Sequence, residues 1–287
     1  RVVVLACCVV AAAAAAQAQP AATLNGYTSL MFDAVPDAPG TSTMSVGAVE
    51  LRGRVFLDGR VTFGERVAVR AAAWAEGLAG GRNGTSRREA VAQPHEVSVT
   101  WSTRAVELTA GVGQVVWGRL DEFQPTDVVN PIDITRFFLE GRAEALRAVG
   151  LARARVFLPG GATLDGVYVP VFRAATFDML GDATSPFALA PREVCVPGGC
   201  LPVVTSTLRP PVRAANAQGG ARLSATTGRV DWALMAWRGF EAVPLYAASA
   251  TPFVPDARAV AVDAVHPRTT VVGGDVETVR GAWGLRG

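Results

Sequence analysis

The sequence contains no lysine, and only 18% of its 287 residues are charged. All 27 basic residues are therefore arginines, and the 25 acidic residues leave a net charge of +2. Ordinary soluble domains carry about 25% charged residues, so this chain is poor in charge for that class. Because the net charge is small and no basic cluster includes aromatic residues, the composition argues against a nucleic-acid partner.

Histidine is also scarce, which limits the catalytic options. The two histidines, His95 and His266, each stand beside a proline. A hydrolase needs a nucleophile within reach of a base, and Ser98 is the nearest candidate to His95 along the chain. No G-x-S-x-G motif is present. We therefore predict no enzymatic activity and no cofactor, and a hydrolase is the least favoured functional alternative.

Long apolar runs are absent after the N-terminus, so no membrane-spanning helix is predicted in the body of the chain. The N-terminus itself begins with Arg1, followed by an apolar run over residues 2–16 and the small-x-small sequence Ala16-Gln17-Ala18. These three features together are typical of a secretory signal peptide. We predict a signal peptide at residues 1–18 and an exported chain.

Cleavage of that signal peptide would leave two cysteines, Cys195 and Cys200, in the sequence CVPGGC. Two cysteines around a Pro-Gly-Gly turn can close a small disulfide loop in an oxidising compartment. A zinc site would need two further ligands, and no other cysteine or histidine is near in the sequence. We therefore predict a disulfide and no metal.

The dominant pattern in the rest of the chain is an alternation with a period of two residues, which predicts β-strands. The odd-numbered residues from Leu51 to Phe63 are apolar or small, whereas the even-numbered residues include three arginines and an aspartate. Similar segments recur at residues 67–76, 96–104, 105–112, 152–158, 163–173, 222–226, 230–238 and 270–280. The alternation is less regular in residues 163–173. They predict about ten strands arranged in hairpins.

Short turns alternate with long connections between these strands. The short turns fall at residues 64–65, 103–105, 159–161 and 227–228. The long connections cover residues 77–95, 119–150, 174–219 and 241–266. Transmembrane β-barrels have short periplasmic turns and long external loops, although a soluble β-sandwich shows the same alternation of side chains. We predict that residues 19–287 form an all-β, antiparallel transmembrane β-barrel in the outer membrane of a Gram-negative bacterium, in contact with outer-membrane lipid.

In such a barrel, the charged side chains would face an aqueous lumen and set its ion preference. The candidates for this role are Arg52, Arg54, Asp58, Arg60, Arg70, Glu96, Arg153 and Arg155.

The connection at residues 119–150 follows a strand that ends near Trp117. A tryptophan at a strand end suits the interfacial aromatic girdle, and the alternative is that it caps a protein core. Pro125 and Pro131 exclude a central strand, and a short helix is predicted from Asp133 through Glu144 and Arg147. Because the segment is highly charged, we predict that it folds into the lumen and narrows the pore. The candidate constriction residues are Arg119, Asp121, Glu122, Asp127, Asn130, Asp133 and Arg136. These carboxylates suit calcium, but their spacing matches no EF-hand, so salt bridges are favoured.

The sequences GQVVWG at residues 113–118 and DVVNPID at residues 127–133 resemble a family of Gram-negative outer-membrane β-barrels of unassigned function. The last 22 residues, from His266, resemble later strands of these barrels more loosely. The resemblance implies an outer-membrane location, movement of hydrophobic or amphiphilic molecules, and an RND-type lipid exporter as partner. It implies no catalytic residues. The family members are longer, and barrel proteins usually end in an aromatic residue, whereas this chain ends at Gly287; we therefore expect it to be truncated at its C-terminus.

The first functional hypothesis is therefore a channel or export conduit. A barrel plugged by its own loops, with a structural or binding role, is the main alternative, and a secreted soluble β-protein is another. The orientation of the apolar face distinguishes the last hypothesis from the others: that face contacts lipid in a barrel and protein in a soluble sandwich.

Overall fold

The computed structural model describes residues 21–36, 46–82, 85–120, 124–176, 193–196, 199–248 and 260–287. The predicted signal peptide and the candidates Asp121 and Glu122 lie outside these described residues. Across the described ranges, no α-helix combines the length and apolar character that a bilayer crossing requires.

Most of the described chain belongs to one open sheet of eleven antiparallel strands. In the order of the sheet, the strands are β1 (Ala21–Pro36), β2 (Val46–Phe63), β3 (Val67–Arg82), β4 (Thr85–Ser102), β5 (Val106–Gly113), β6 (Val149–Phe157), β7 (Thr163–Val169), β10 (Gln218–Thr227), β11 (Val230–Phe240), β14 (Arg268–Arg280) and β15 (Trp283–Arg286). The strands β1 and β15 form the two edges and, within the described residues, do not pair with each other.

A second sheet is built from the long connections. Its order is β12 (Leu245–Ala248), β13 (Val260–Val265), β9 (Gly199–Leu208) and β8 (Glu193–Val196). A disulfide joins Cys195 in β8 to Cys200 in β9. Two short helices, α1 (Ile134–Glu140) and α2 (Arg142–Ala145), lie in the connection between β5 and β6.

The predicted antiparallel hairpin architecture is confirmed, with eleven strands in the main sheet. Its short turns cover residues 64–66, 103–105, 158–162, 228–229 and 281–282, all at one end of the sheet. Such tight turns require a positive φ, which Gly64 and Gly228 adopt at 61° and 63°.

Three details of the strand prediction are wrong. The second sheet lies within the predicted long connections 174–219 and 241–266, where no strands were predicted. Residues 77–95 are not a long connection, because β3 and β4 stay paired as far as Arg82 and Thr85. In β3 the alternation is hidden by glycine and alanine, which carry little polarity signal, and in β4 it is interrupted by the consecutive charged residues Arg87, Arg88 and Glu89. The edge strand β1 was not predicted, although it pairs with β2 along its length.

The two faces of the sheet have opposite exposures, and the apolar face is the exposed one. Val55 and Leu57 are 46% and 55% exposed, whereas Arg52 and Arg54 in the same strand are each 6% exposed. Further large apolar side chains are exposed on other strands: Leu24, Leu30, Val97, Val99, Leu108, Leu164, Leu234 and Val272. This is the reverse of a soluble sandwich, in which the apolar face is buried.

A β-bulge in β4 keeps polar side chains on the charged face. Ala72 is opposite Glu96 and Ala73 is opposite Pro94, so His95 is an extra residue without a partner in the register. An extra residue shifts the alternation by one position. Consequently His95 packs edge-on against Phe56, while Glu96 also faces the charged side.

Candidate functional site

The connection between β5 and β6, residues 114–148, folds against the charged face of the main sheet; we call it the inner segment. Trp117 in this segment is 1% exposed and belongs to a hydrophobic cluster. Its indole Nε1 donates a hydrogen bond of 3.1 Å to Oδ2 of Asp165. The prediction that Trp117 joins an interfacial girdle is therefore wrong. The other cluster members come from the inner segment and from β6, β7 and β11: Val115, Val129, Val149, Leu151, Val167, Val169, Met235 and Trp237.

The helical part of the inner segment begins where the sequence predicted. Asp133 caps α1, because its carboxylate accepts a hydrogen bond from the backbone N–H of Arg136, as Asp does at many helix N-termini. The helix is interrupted at Gly141, whose φ of 87° is outside the helical range. The predicted single helix is therefore two short ones, which turn the chain back toward β6.

The side chain of Asn130 joins the two ends of the inner segment. Its Oδ1 accepts a hydrogen bond of 2.7 Å from the N–H of Val115. Its Nδ2 donates to the carbonyl oxygens of Gly113 and Arg147, at 3.2 and 2.9 Å. The amide is buried, so it satisfies three backbone groups that have little access to water.

A buried charge cluster connects α1 and α2 to β2 and β3. Its members are Glu50, Arg52, Arg54, Glu76, Arg136, Glu140 and Glu144. The carboxylate of Glu140 lies 3.1 Å from Arg52, 2.5 Å from Arg54 and 3.2 Å from Arg136. All but Glu144 have side chains less than 10% exposed. Three positive and four negative charges nearly cancel, as buried charges must.

The aromatic ring of Trp74 lies beside this cluster. The guanidinium of Arg136 is 4.4 Å from the ring centroid and that of Arg54 is 5.4 Å from it. Both distances are within the range of cation–π attraction, so Trp74 adds to the contact between the sheet and α1.

The inner segment also contacts the far half of the same face. Arg119 lies 2.9 Å from Asp275 in β14, eight strands away from β2 in the sheet order. On a flat sheet these strands would be about 38 Å apart, because neighbouring strands are about 4.8 Å apart. A compact segment that contacts both strands from one side indicates that the sheet curves around it, as a barrel wall does.

The remaining lumen candidates lie on the same face, nearer the short turns. Arg70 pairs with Asp58 and Glu96, and Arg153 and Arg155 pair with Asp165 and Glu107; Arg60 is exposed. Several of these groups surround a polar chamber lined by Glu96, Ser98, Thr100, Glu107, Thr109, Gln114, Arg153 and Arg155. The structure thus brings the predicted charged residues together, and their role in ion selection remains a prediction.

Each constriction candidate within the described residues forms a hydrogen bond or an ion pair with another part of the protein. Arg119 pairs with β14, Arg136 belongs to the buried charge cluster, and Asp133 and Asn130 hold the segment together. Asp127 pairs with Arg142 inside the segment. Burial raises the pKa of Asp127, and the Arg142 guanidinium opposes that rise.

The structure assembles neither a hydrolase pair nor a metal site in the described residues. The hydroxyl of Ser98 donates to Glu96 at 2.8 Å, and Nδ1 of His95 lies 3.4 Å from Nε2 of Gln114. No group of histidine, cysteine, aspartate and glutamate within the described ranges has the arrangement to hold a metal ion.

Sequence reasoning missed several residues of the site. Glu50 and Glu140 are central to the charge cluster, and Glu50 continues the even-numbered polar face of β2, so the alternation could have identified it. Arg147 and Arg173 lie where β6 begins and where β7 has ended. No local pattern distinguishes these two arginines from others in connections.

These features define an all-β protein with one curved, antiparallel sheet. The convex face of that sheet is apolar, its concave face is charged, and the inner segment packs against the concave face. The sequence matches no family model and no curated protein. Among solved structures, the chain is similar to the copper transporter OprC, with a TM-score of 0.40 and 11% identity, over 92% of this chain and 42% of that one. The chain thus spans less than half the length of that transporter chain.

Proposed function

We propose that the chain is part of the wall of an outer-membrane β-barrel and that the barrel acts as a channel or transport conduit. One observation carries this proposal: the exposed face of the sheet is apolar, whereas on the charged face Arg52 and Arg54 are buried beneath the inner segment. In water, an apolar surface that extends over most of a sheet is unfavourable. In a bilayer it is the face that contacts hydrocarbon.

Strand length agrees with a membrane location. A tilted transmembrane strand needs about 9–11 residues to cross the hydrocarbon core. The strands β2 and β3 have 18 and 16 residues, so they are long enough to cross and to continue beyond the bilayer. Every backbone group at membrane depth must be paired, and the eleven-stranded ladder provides that pairing away from the edges β1 and β15.

Replacing Leu57 by arginine is expected to weaken folding into lipid vesicles by about 2–4 kcal/mol, the cost of a charge near the bilayer midplane on a barrel's outer face. Phe63, at the end of the same strand and 52% exposed, provides a control on the same face at a shallower depth. The substitution Phe63→Arg should cost about 0–1 kcal/mol, because it lies near the interface. Denaturant titration in vesicles measures both values, and equally small losses would indicate that this face contacts water.

Reconstitution into planar bilayers tests the channel role. We expect discrete conductance steps, with the inner segment as the narrowest point. Stable insertion without conductance would favour the plugged binding barrel instead. Release from membranes by carbonate would favour the secreted soluble β-protein.

The finer part of the proposal concerns cargo and partner. Export of hydrophobic or amphiphilic molecules with an RND-type exporter is supported by the sequence resemblance alone. Purification of the tagged protein from native membranes should recover exporter subunits if that partner is correct.

A further inference from the structure

The short-turn end of the main sheet repeats one arrangement at four of its five turns. An aromatic residue and an arginine stand three positions apart at each: Phe63 and Arg66, Trp101 and Arg104, Trp232 and Arg229, Trp283 and Arg280. The four pairs belong to four different hairpins, and the antiparallel order of the sheet brings all of them to the same end.

The aromatic residues of this arrangement lie on the apolar convex face. Phe63 is on the same side of β2 as Leu57, and the two side chains are 52% and 55% exposed. Trp101 is on the same side of β4 as Val99, and both are exposed. Trp283 is exposed as well. Aromatic residues at the ends of the strands form a girdle at the membrane interface in transmembrane barrels.

The orientation of Trp232 agrees with an interfacial position. Its indole Nε1 donates a hydrogen bond of 3.0 Å to the hydroxyl of Thr227, the last residue of β10 before the turn. The polar edge of the ring is thus directed toward the turn, whereas the ring belongs to the wall. Tryptophan has this amphipathic arrangement where one end is in an apolar environment and the other in water.

The arginines extend from turns whose backbone is held by hydrogen bonds. All four are exposed. The N–H of Ser102 donates to the carbonyl oxygen of Arg66 at 2.8 Å, and the hydroxyl of Thr278 donates to that of Arg229 at 3.0 Å. The positions of these guanidinium groups are therefore restricted to one end of the wall.

The charge on the short turns is mainly positive. Glu65 is the one acidic residue of the five turns, whereas three arginines lie in them and Arg280 ends β14. The whole chain has 27 basic and 25 acidic residues. Its overall composition therefore does not account for the excess of arginine at this end.

The spacing places the arginines at the depth of lipid headgroups. Three residues of a strand extend about 10 Å, and the tilt of a transmembrane strand reduces this to about 7 Å along the membrane normal. The headgroup layer on each side of the hydrocarbon is about 5–8 Å thick. Arg280 is directly opposite Trp283 in the register, and its long side chain can extend from there toward the headgroups.

We propose that Arg66, Arg104, Arg229 and Arg280 form an arginine rim that binds the headgroups of anionic phospholipids in the leaflet at the short-turn end. A guanidinium group matches the paired oxygens of a phosphate, and a net negative headgroup adds attraction that a zwitterionic one lacks. The rim rests on the proposed membrane location. It adds the end of the barrel and the lipid chemistry that this end recognises.

The test compares folding of the complete purified protein in two kinds of vesicle, phosphatidylcholine alone and an equal mixture with phosphatidylglycerol. Denaturant titration gives a folding constant in each, and we expect a larger constant in the mixture. Arg104→Gln should lower the ratio of the two constants about fivefold, because an arginine near an anionic surface contributes about 1 kcal/mol. The triple variant Arg66→Gln, Arg104→Gln, Arg229→Gln should lower that ratio about a hundredfold.

Arg60→Gln is the matched control. Arg60 is exposed and three positions before Phe63, but it lies on the concave face with Arg52 and Arg54. Its loss removes the same charge from the same end of the sheet, and the ratio should stay unchanged. Arg104→Lys keeps the charge and should retain most of the ratio. Because each ratio compares one variant in two vesicles, a loss of stability common to both cancels.

Inorganic phosphate at constant ionic strength should leave the preference for phosphatidylglycerol intact, and its abolition would assign the arginines to a free anion instead. Equal folding constants in the two vesicles would overturn the rim, as would equal effects of Arg60→Gln and Arg104→Gln. Folding into both vesicles without a preference overturns the rim alone. Failure of the unaltered protein to fold into either would overturn the membrane location itself.

Discussion

Replacing Asn130 by alanine is expected to loosen the inner segment and lower the free energy of unfolding by several kcal/mol. The substitution removes the partners of three backbone groups, those of Val115, Gly113 and Arg147. A buried polar group that loses its partner costs about 1–3 kcal/mol. Denaturant titration measures the loss, and limited proteolysis should show faster cleavage between β5 and β6.

Asn216 supplies the matched control for this experiment. Its side-chain amide makes one exposed hydrogen bond, to the carbonyl oxygen of Pro211 at 2.8 Å. Since water can replace that bond, Asn216→Ala should change stability by less than about 1 kcal/mol.

A further variant, Asn130→Asp, keeps an acceptor for Val115 but places an oxygen against two carbonyl groups, so it should be as damaging as alanine. Full stability of Asn130→Ala would show that the segment is held by other contacts.

Replacing Glu140 by glutamine is expected to detach α1 from the sheet. The carboxylate faces Arg52, Arg54 and Arg136, and removal of one partner from a buried ion pair costs about 3–5 kcal/mol. In the reconstituted protein, the single-channel conductance should rise, because the inner segment would no longer be fixed against β2 and β3. Denaturant titration and bilayer recordings measure the two effects.

Glu144→Gln is the control within the same cluster. The Glu144 side chain is 44% exposed and contacts Arg54 at 3.0 Å. Exposed ion pairs contribute about 0–1 kcal/mol, so this variant should behave almost as the unaltered protein does. Similar losses for both glutamates would mean that net charge, not the buried contacts of Glu140, holds the segment.

Alternation of side chains was enough to predict most strands of the main sheet, four of its five short turns and the charged face. The prediction works because successive residues of a strand point to opposite sides of the sheet. This pattern can be recognised within each strand without knowledge of its neighbours. Alternation does not say which side meets water, and that distinction came from the exposure of Val55 and Leu57. The end of β3 was missed because glycine and alanine carry little polarity signal, and the start of β4 was missed because Arg87, Arg88 and Glu89 interrupt the alternation.

Contacts between distant parts of the chain were beyond sequence reasoning. Trp117 follows the apolar residues of a strand end, as a girdle residue would, yet its partners Asp165 and Trp237 belong to β7 and β11. Likewise, the Asn-Pro-Ile-Asp sequence was identified as distinctive, but its role became visible only when Asn130 was found between β5 and β6. Such roles depend on folding of the inner segment over several strands at once.

The smaller sheet links the movements of two long connections of the main sheet. Its strands β9 and β13 pair in parallel, yet they come from different connections, one between β7 and β10 and the other between β11 and β14. Displacing one connection therefore breaks backbone hydrogen bonds to the other, which costs free energy at each residue. The two connections are therefore coupled through this parallel pair, so that movement of one is expected to carry the other with it.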